Sequence, residues 1–388
     1  MRDLRSNPGR RGRGEQSGLW IFCARQEVSV GFPTGVTKLG LWILLSALLG
    51  PATWAQTFQV QADQFVTSYA KRDEFHGVVL VAKNGQILFQ KAYGNAVEAW
   101  GIANTPDTKF ELASLTKQFT GAAILILART GKINLDDSVA KYYPQAPQSW
   151  KQITIKQLIT HTSGIPNNEI RDFNKGICVP YTVEELIATF KNRPLKFAPG
   201  TGWAYTNTEY YLLAYIIQSV SGETYGDFLL HNVFQRLGMS ASGFASTLAI
   251  VPQMAEGYAR DGKSFRHRDY FDRSLEIGAG GVYSTPSDLL RWNEALNEEK
   301  LLNKKLLELM FTPSSPGNYG FGWFIEKKPR TKEYHEGSDP GFAAFEIRYP
   351  EERAFVIVLA NLEDAPVRVI ANGLGDLLLN GKIAADSN

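Results

Sequence analysis

The sequence predicts an α+β or α/β fold: an antiparallel β-sheet assembled from both ends of the chain, flanked by helices, with a mostly helical region inserted between. Three observations predict it. Strand-forming sequence with a tight-turn signal stands early, in Gly77-Val-Val-Leu-Val-Ala82, Asn84-Gly85 and Gln86–Tyr93. Strand signal returns only after Asn318, at Tyr319–Glu326, Glu333–His335, Ala343–Tyr349 and Ala354–Ala360, between Pro-, Gly- or charge-rich turns. Residues 132–275, in contrast, alternate helical segments with turns and carry little strand pattern.

In chain order, residues 1–18 are basic, glycine-rich and without periodicity. Lys38 then precedes the apolar run Leu39–Leu49, the breaker Gly50-Pro51 and the small residue Ala55. A positive flank, a short apolar run and a small residue before a cut read as a secretory signal peptide, and the run is too short to span a bilayer as a helix. The expected organisation is a leader over 1–55 and a working domain over 56–388. The mature protein is then secreted or periplasmic, touching a membrane only transiently; an uncleaved N-terminal anchor is the alternative. The long stretch before Lys38 fits either a start site placed too early or a genuine extension.

Within the domain, Phe58, Val60, Ala62, Phe65, Val66 and Tyr69 have helical spacing over residues 57–72. The apolar run 121–128 continues a helix that begins near Ser114 and stops near Thr130-Gly131. Further helices are expected at Ile155–Thr160, Val183–Phe190, Tyr210–Val220, Tyr225–Leu237, Ser287–Leu296, Lys304–Met310 and Val367–Leu379. The sheet region is thus 56–131 plus 318–388, and the helical region 132–317.

Composition excludes several classes. The 388 residues are 44% hydrophobic and 21% charged, an ordinary globular balance. The net charge is +2, but residues 1–55 alone carry +4, so the body is near −2 and has no electrostatic footprint for nucleic acid. Removing the leader leaves one cysteine, Cys178, which cannot form an internal disulfide and is expected to be a small buried hydrophobe. The histidines at 76, 161, 231, 267 and 335 have no zinc spacing, and no dinucleotide or Walker glycine motif occurs, so neither metal nor cofactor is expected. No Gly-x-Ser-x-Gly elbow is present, which disfavours an α/β-hydrolase.

The chemistry is expected around Ser114-Leu-Thr-Lys117. Residues three apart share a helix face, and a serine in the first turn lies beside unpaired N–H groups and the positive end of the helix dipole. Alone, the pattern proves little, and its plain reading is an N-cap serine followed by a solvated lysine. Three further stretches bear on it: Phe197-Ala-Pro-Gly200 leading to Tyr205-Thr-Asn207, His335-Glu-Gly337-Ser338, and the glycine-rich 277–286.

Taken together these residues resemble the serine β-lactamase and penicillin-binding protein superfamily, in the order Ser114-x-x-Lys117, Tyr205-x-Asn207, His335-x-Gly337. The tyrosine resembles the branch with class C β-lactamases, D-alanyl-D-alanine carboxypeptidases, D-aminopeptidases and related esterases. Leu158-Ile-Thr-His161-Thr-Ser-Gly164 and Gly278–Pro286 agree, and the resemblance runs from about 60 to 380. It implies a β-lactamase/transpeptidase-like sheet-and-helix fold and acyl transfer through a covalent intermediate. Ser114 is then the nucleophile, Lys117 or Tyr205 its base, and Asn207 a partner of Lys117 or of the substrate amide. The N–H groups of Ser114 and Ser338 are the expected oxyanion donors, Gly337 lets substrate approach, and His335 orients substrate or the Tyr205 hydroxyl. His161 is expected to be structural, and Trp203, Phe271, Tyr283 and Trp323 to pack in the core. The substrate is a small molecule or short peptide met by a monomer, with its specificity in loops 166–180 and 261–276.

One departure matters. Class C β-lactamases have Lys-Thr-Gly where this chain has His335-Glu-Gly337. A histidine is only partly charged near neutral pH. The resemblance therefore implies a peptide, D-amino amide or small ester as substrate, with a class C-like β-lactamase and a non-catalytic cell-wall-peptide binder as the alternatives.

Overall fold

Gly77–Lys83 (β1) and Gln86–Tyr93 (β2) form the early hairpin, joined through Asn84 and Gly85, both at positive φ. The computed structural model describes residues 55–167, 178–244, 246–314 and 316–384. Residues 1–54, where the leader and signal segment are expected, lie outside the described residues, as does most of the 166–180 loop.

Phe324–Glu326 (β3), Lys332–Asp339 (β4), Phe342–Tyr349 (β5) and Ala354–Ala360 (β6) complete a six-stranded antiparallel sheet of order β3-β4-β5-β6-β1-β2. Early and late sequence therefore meet at the β6–β1 pair, where Gly77 faces Ala360 and Lys83 faces Ala354. Both strands are almost wholly buried because both sheet faces are covered. Val79, Val81, Val356 and Val358 pack against helix α1 (residues 55–70) and the C-terminal helix Val367–Asn380. Val78, Leu80, Ile357 and Leu359 face the helical region.

Thr116–Arg129 (α2) is the central helix of that region, and every residue from Thr116 to Leu127 is buried. That accounts for its unbroken apolar run: a helix enclosed on all sides needs no polar stripe. Thr208–Ser221 (α3) packs beside it and begins two residues earlier than the sequence spacing suggests, which brings Glu209 into its first turn.

Several expectations are corrected. The middle of the chain is not free of strand: Gly243–Phe244 and Val282–Ser284 pair, and Tyr258–Asp261 pairs with Ser264–His267. The Asp261-Gly262 turn, with Gly262 at φ 60°, carried the signal for that hairpin, so 261–276 is only partly loop. Residues 319–323 are not strand; they form the turn that delivers Tyr319 to the site described below. Cys178 is exposed, not buried. Trp323 is fully buried, whereas Trp203, Phe271 and Tyr283 are only half-buried. Among the described residues no helix is long and apolar enough to cross a membrane.

Candidate active site

Ser114 is placed by the small strand Phe110–Glu111, which pairs with Val282–Ser284, and by the 3₁₀ turn Ala113–Leu115 that leads into α2. Leu112 N–H donates to the Val282 carbonyl at 2.9 Å, and Val282 N–H donates to Thr116 Oγ1 at 3.0 Å. The chain thus holds 279–282 against the start of α2. Ala113, just before Ser114, sits at φ 47°, in the left-handed region that costs an L-residue about 1 kcal/mol.

Lys117 follows one helical turn later and has no exposed surface. Its Nζ lies 3.0 Å from Ser114 Oγ, 2.9 Å from Asn207 Oδ1 and 2.9 Å from the Ala279 carbonyl oxygen. It also sits 4.8 Å from the centroid of the Tyr205 ring and 5.4 Å from that of Tyr210. Segments distant in sequence thus meet at one amine: the α2 start, the turn before α3 that carries Tyr205 and Asn207, and the glycine-rich 278–281 turn.

β4 supplies the opposite wall. A Cβ on Gly337 would come 2.2 Å from the Leu112 carbonyl oxygen, so only glycine lets the strand press against the chain entering Ser114. Gly337 is therefore a close-packing residue, and Ser338 beside it is exposed. His335, 1% exposed, faces the same side. Its Nδ1 donates to the Glu336 carbonyl at 2.7 Å, because a carbonyl can only accept. Nε2 then accepts from the Tyr319 hydroxyl at 2.8 Å. Burial first, and the Lys117 charge second, push the imidazole down to about 3, so it is neutral. Two expectations change here: His335 is not partly charged, and its ring nitrogens engage Tyr319 and Glu336, with the Tyr205 ring 6.1 Å away.

Sequence reasoning missed Tyr319, the Ala279 carbonyl, and a buried group behind Tyr205. His161, at φ 60°, lies on Glu209 of α3, with Nδ1 2.5 Å from Glu209 Oε2. Glu209 also receives the Ser163 hydroxyl at 2.5 Å and the Thr206 hydroxyl at 2.8 Å. Burial pushes its carboxyl up to about 8, against those hydrogen bonds. An acid two residues after Tyr205-Thr-Asn207 was the available signal.

A six-stranded antiparallel sheet backed by helices, with a serine hydroxyl against a buried lysine at the seam, defines a serine hydrolase of the penicillin-recognising type. Residues 62–379 match the Beta-lactamase family, and the chain belongs to it. Protein PbpX of Bacillus subtilis (strain 168) is 34% identical over 305 residues, covering 79% of this chain and 75% of that one. A penicillin binding protein from Bacillus halodurans superposes with a TM-score of 0.69 at 28% identity, covering 80% of this chain and 96% of the other. The D-amino acid amidase from Ochrobactrum anthropi SV3 shares the fold, with a TM-score of 0.68 at 23% identity over 80% of this chain and 91% of that one.

Proposed function

We propose that the chain is an exported serine hydrolase that acts through an acyl-enzyme on an amide or ester carbonyl, its substrates being D-Ala-D-Ala-type peptides, D-amino amides or small esters. The 3.0 Å contact between Lys117 Nζ and Ser114 Oγ inside a buried cluster carries this reading. Asn207 Oδ1 and the Ala279 carbonyl can only accept, so they fix two N–H bonds of the amine. The remaining position of Nζ points at Ser114 Oγ; when the proton that Lys117 shares with Tyr205 lies on the phenol, the amine is neutral and takes the serine proton by this route. Ser114 Oγ then bonds to the substrate carbonyl carbon. The N–H groups of Ser114 and Ser338 hold the oxyanion, an interaction worth about a hundredfold or more in rate per donor. Collapse breaks the bond to the leaving group, which takes a proton from Tyr205; Lys117 returns one to Tyr205. Water attacks the acyl carbon while Tyr205 takes its proton and passes its own to Lys117; the acyl–Oγ bond then breaks, and Lys117 returns that proton to Ser114 Oγ.

His335 supports the choice of substrate class. A neutral imidazole tied to Tyr319 and Glu336 lends no positive charge to a substrate carboxylate. That favours short-acyl esters and D-amino amides over cephalosporins, speaks against the class C-like β-lactamase reading, and makes D-Ala-D-Ala-type peptides, which also carry a carboxylate, the least favoured of the three proposed classes. Export is supported by the charge and apolar pattern of 38–55.

Fluorophosphonate labelling of wild type and Ser114→Ala tests the nucleophile. Labelling of wild type alone is expected; equal labelling sinks the hydrolase reading and leaves the non-catalytic binder. A panel of p-nitrophenyl acetate, D-alanine p-nitroanilide and nitrocefin tests the substrate class, and a highest kcat/KM for nitrocefin overturns it.

A further inference from the structure

We propose that His161 and Glu209 form a buried, uncharged positioning pair that sets the place of the Tyr205 hydroxyl and acts on catalysis only through Tyr205. The proposal rests on the reading of Tyr205 as proton carrier given above.

The His161 carbonyl accepts from Ala204 N–H at 3.0 Å, and His161 Nδ1 accepts from Thr206 N–H at 3.4 Å. One residue thus grips the chain on both sides of Tyr205. Its ring also lies 4.5 Å from the Tyr205 ring, centroid to centroid, and 4.7 Å from that of Tyr319. The two flanking residues and the ring itself are all referred to His161. Neighbouring bonds extend the same seam: the Thr162 carbonyl accepts from Gly200 N–H at 2.8 Å and the Gly164 carbonyl from Lys196 N–H at 2.7 Å.

The contacts and the burial agree on one protonation state. Thr206 N–H, 3.4 Å away, can only donate toward Nδ1, which suits an unprotonated nitrogen there. The 2.5 Å contact from Nδ1 to Glu209 Oε2 is then a carboxyl O–H donating to nitrogen, in keeping with a carboxyl that burial raises to about 8. Ser163 Oγ donates to Glu209 Oε1 and Thr206 Oγ1 to Oε2, both as acceptors. Both side chains are essentially without exposed surface, at 0% and 1%. With Nδ1 unprotonated the ring proton sits on Nε2, which has no hydrogen-bond partner among the described residues; an imidazolium would leave the same N–H unanswered and bury a charge as well. Burial, then the nearby Lys117 charge, hold His161 well below its ordinary value, and burial raises Glu209. The pair is neutral at both ends, which suits a place beside the Lys117 amine: it holds Tyr205 without competing for the proton.

The expected signature is a loss that needs Tyr205 to be present. With p-nitrophenyl acetate on the full chain, Glu209→Ala lowers kcat at least tenfold while the burst still releases one p-nitrophenolate per chain. Glu209→Gln, a neutral amide that can donate to Nδ1, stays within about threefold of wild type. In a Tyr205→Phe background Glu209→Ala changes kcat by less than about twofold, because interacting sites fail to add. A role in stability alone would reduce the burst amplitude instead, as fewer chains are competent. If Glu209→Ala does not fold, His161→Gly, compatible with the positive φ, carries the same cycle, with added imidazole restoring turnover. Equal losses in both Tyr205 backgrounds, or Glu209→Gln as slow as Glu209→Ala, overturn the proposal while the hydrolase reading stands. A wild type no faster than Ser114→Ala overturns both.

Discussion

Lys117 and Gln118 are neighbours on α2, both at 0% exposure, and they reach into different regions. Lys117 points to the seam between the sheet and the helical region, where Ser114, Asn207 and Ala279 supply three oxygens. Gln118 points under the sheet, where its Nε2 donates to Glu346 Oε2 at 2.9 Å and its Oε1 accepts from Trp292 Nε1 at 2.5 Å. On the seam, the partners come from separate turns and converge on a group that changes protonation in the mechanism proposed above. Under the sheet, an amide bridges two side chains that have only to stay put. The difference teaches where this molecule keeps reactivity: burial alone does not create it, since Glu346 is equally buried and has no nucleophile beside it.

The sharpest way to break that comparison is Lys117→Met, which keeps an apolar stem of similar length and removes the amine. Ser114 then has no base at 3.0 Å, and kcat/KM for p-nitrophenyl acetate should fall about a thousandfold or more. Thermal unfolding should move far less, because the methionine keeps the packing of the lysine stem at nearly the same volume. A variant that loses its fold together with its activity would show that Lys117 is a structural group like Gln118, and the contrast would collapse.

Gly337→Ala sharpens the comparison at the place where the two regions touch. The new Cβ would meet the Leu112 carbonyl at 2.2 Å, so either β4 or the Ser114 turn must shift. A displacement near 1 Å at a reacting group costs about a hundredfold in rate. The expected outcome is that fall in kcat/KM, with a stability loss of about 1–3 kcal/mol typical of overpacking. Wild-type activity in Gly337→Ala would mean that β4 does not set the Ser114 geometry.

The sequence revealed more of the seam than of its electrostatics. Ser114, Lys117 and Asn207 were readable because chemistry fixes their types and their order along the chain. Ala279 was not, because its contribution is a carbonyl that any residue offers; only the surrounding glycines hinted at a tight turn. The protonation of His335 was hidden because its burial, and then the Lys117 charge, come from tertiary packing that no local pattern encodes. The sheet was legible at β1, β5 and β6 from their apolar density. The Tyr258–His267 hairpin was not, since a short, half-exposed pair of strands has weak periodicity and only its Asp-Gly turn to announce it. Glu346 and Arg348 in the otherwise apolar β5 were the missed signal of a polar layer beneath the site: Arg348 pairs with Glu333 at 2.6 Å, and Glu346 sits opposite His335.

Glu346→Gln gives the smallest effect and separates the two regions by pH. Burial pushes the Glu346 carboxyl up to about 7 from 4.5, with the Gln118 hydrogen bond and the Arg348 charge pulling the other way. Its folded value lies above its unfolded one. The folded state therefore binds the extra proton, and this contribution to stability is complete below about 4.5 and lost as pH rises through about 7. A shift of this size corresponds to about 3 kcal/mol, an upper figure for a fully buried group. The substituted amide cannot ionise, so Glu346→Gln should match wild type near pH 4.5 and become the more stable chain above pH 7, by about 1–3 kcal/mol. Comparing the two chains cancels the other titrating groups, including Glu209, which moves stability in the same direction, and His161 and His335, which oppose it. Turnover at pH 7 should stay within about threefold of wild type, since no reacting atom touches Glu346. Denaturant unfolding at several pH values reads the slope. A constant difference between the chains at all pH values would mean that Glu346 is ionised in the folded protein, and that the layer under the sheet carries charge as the seam does.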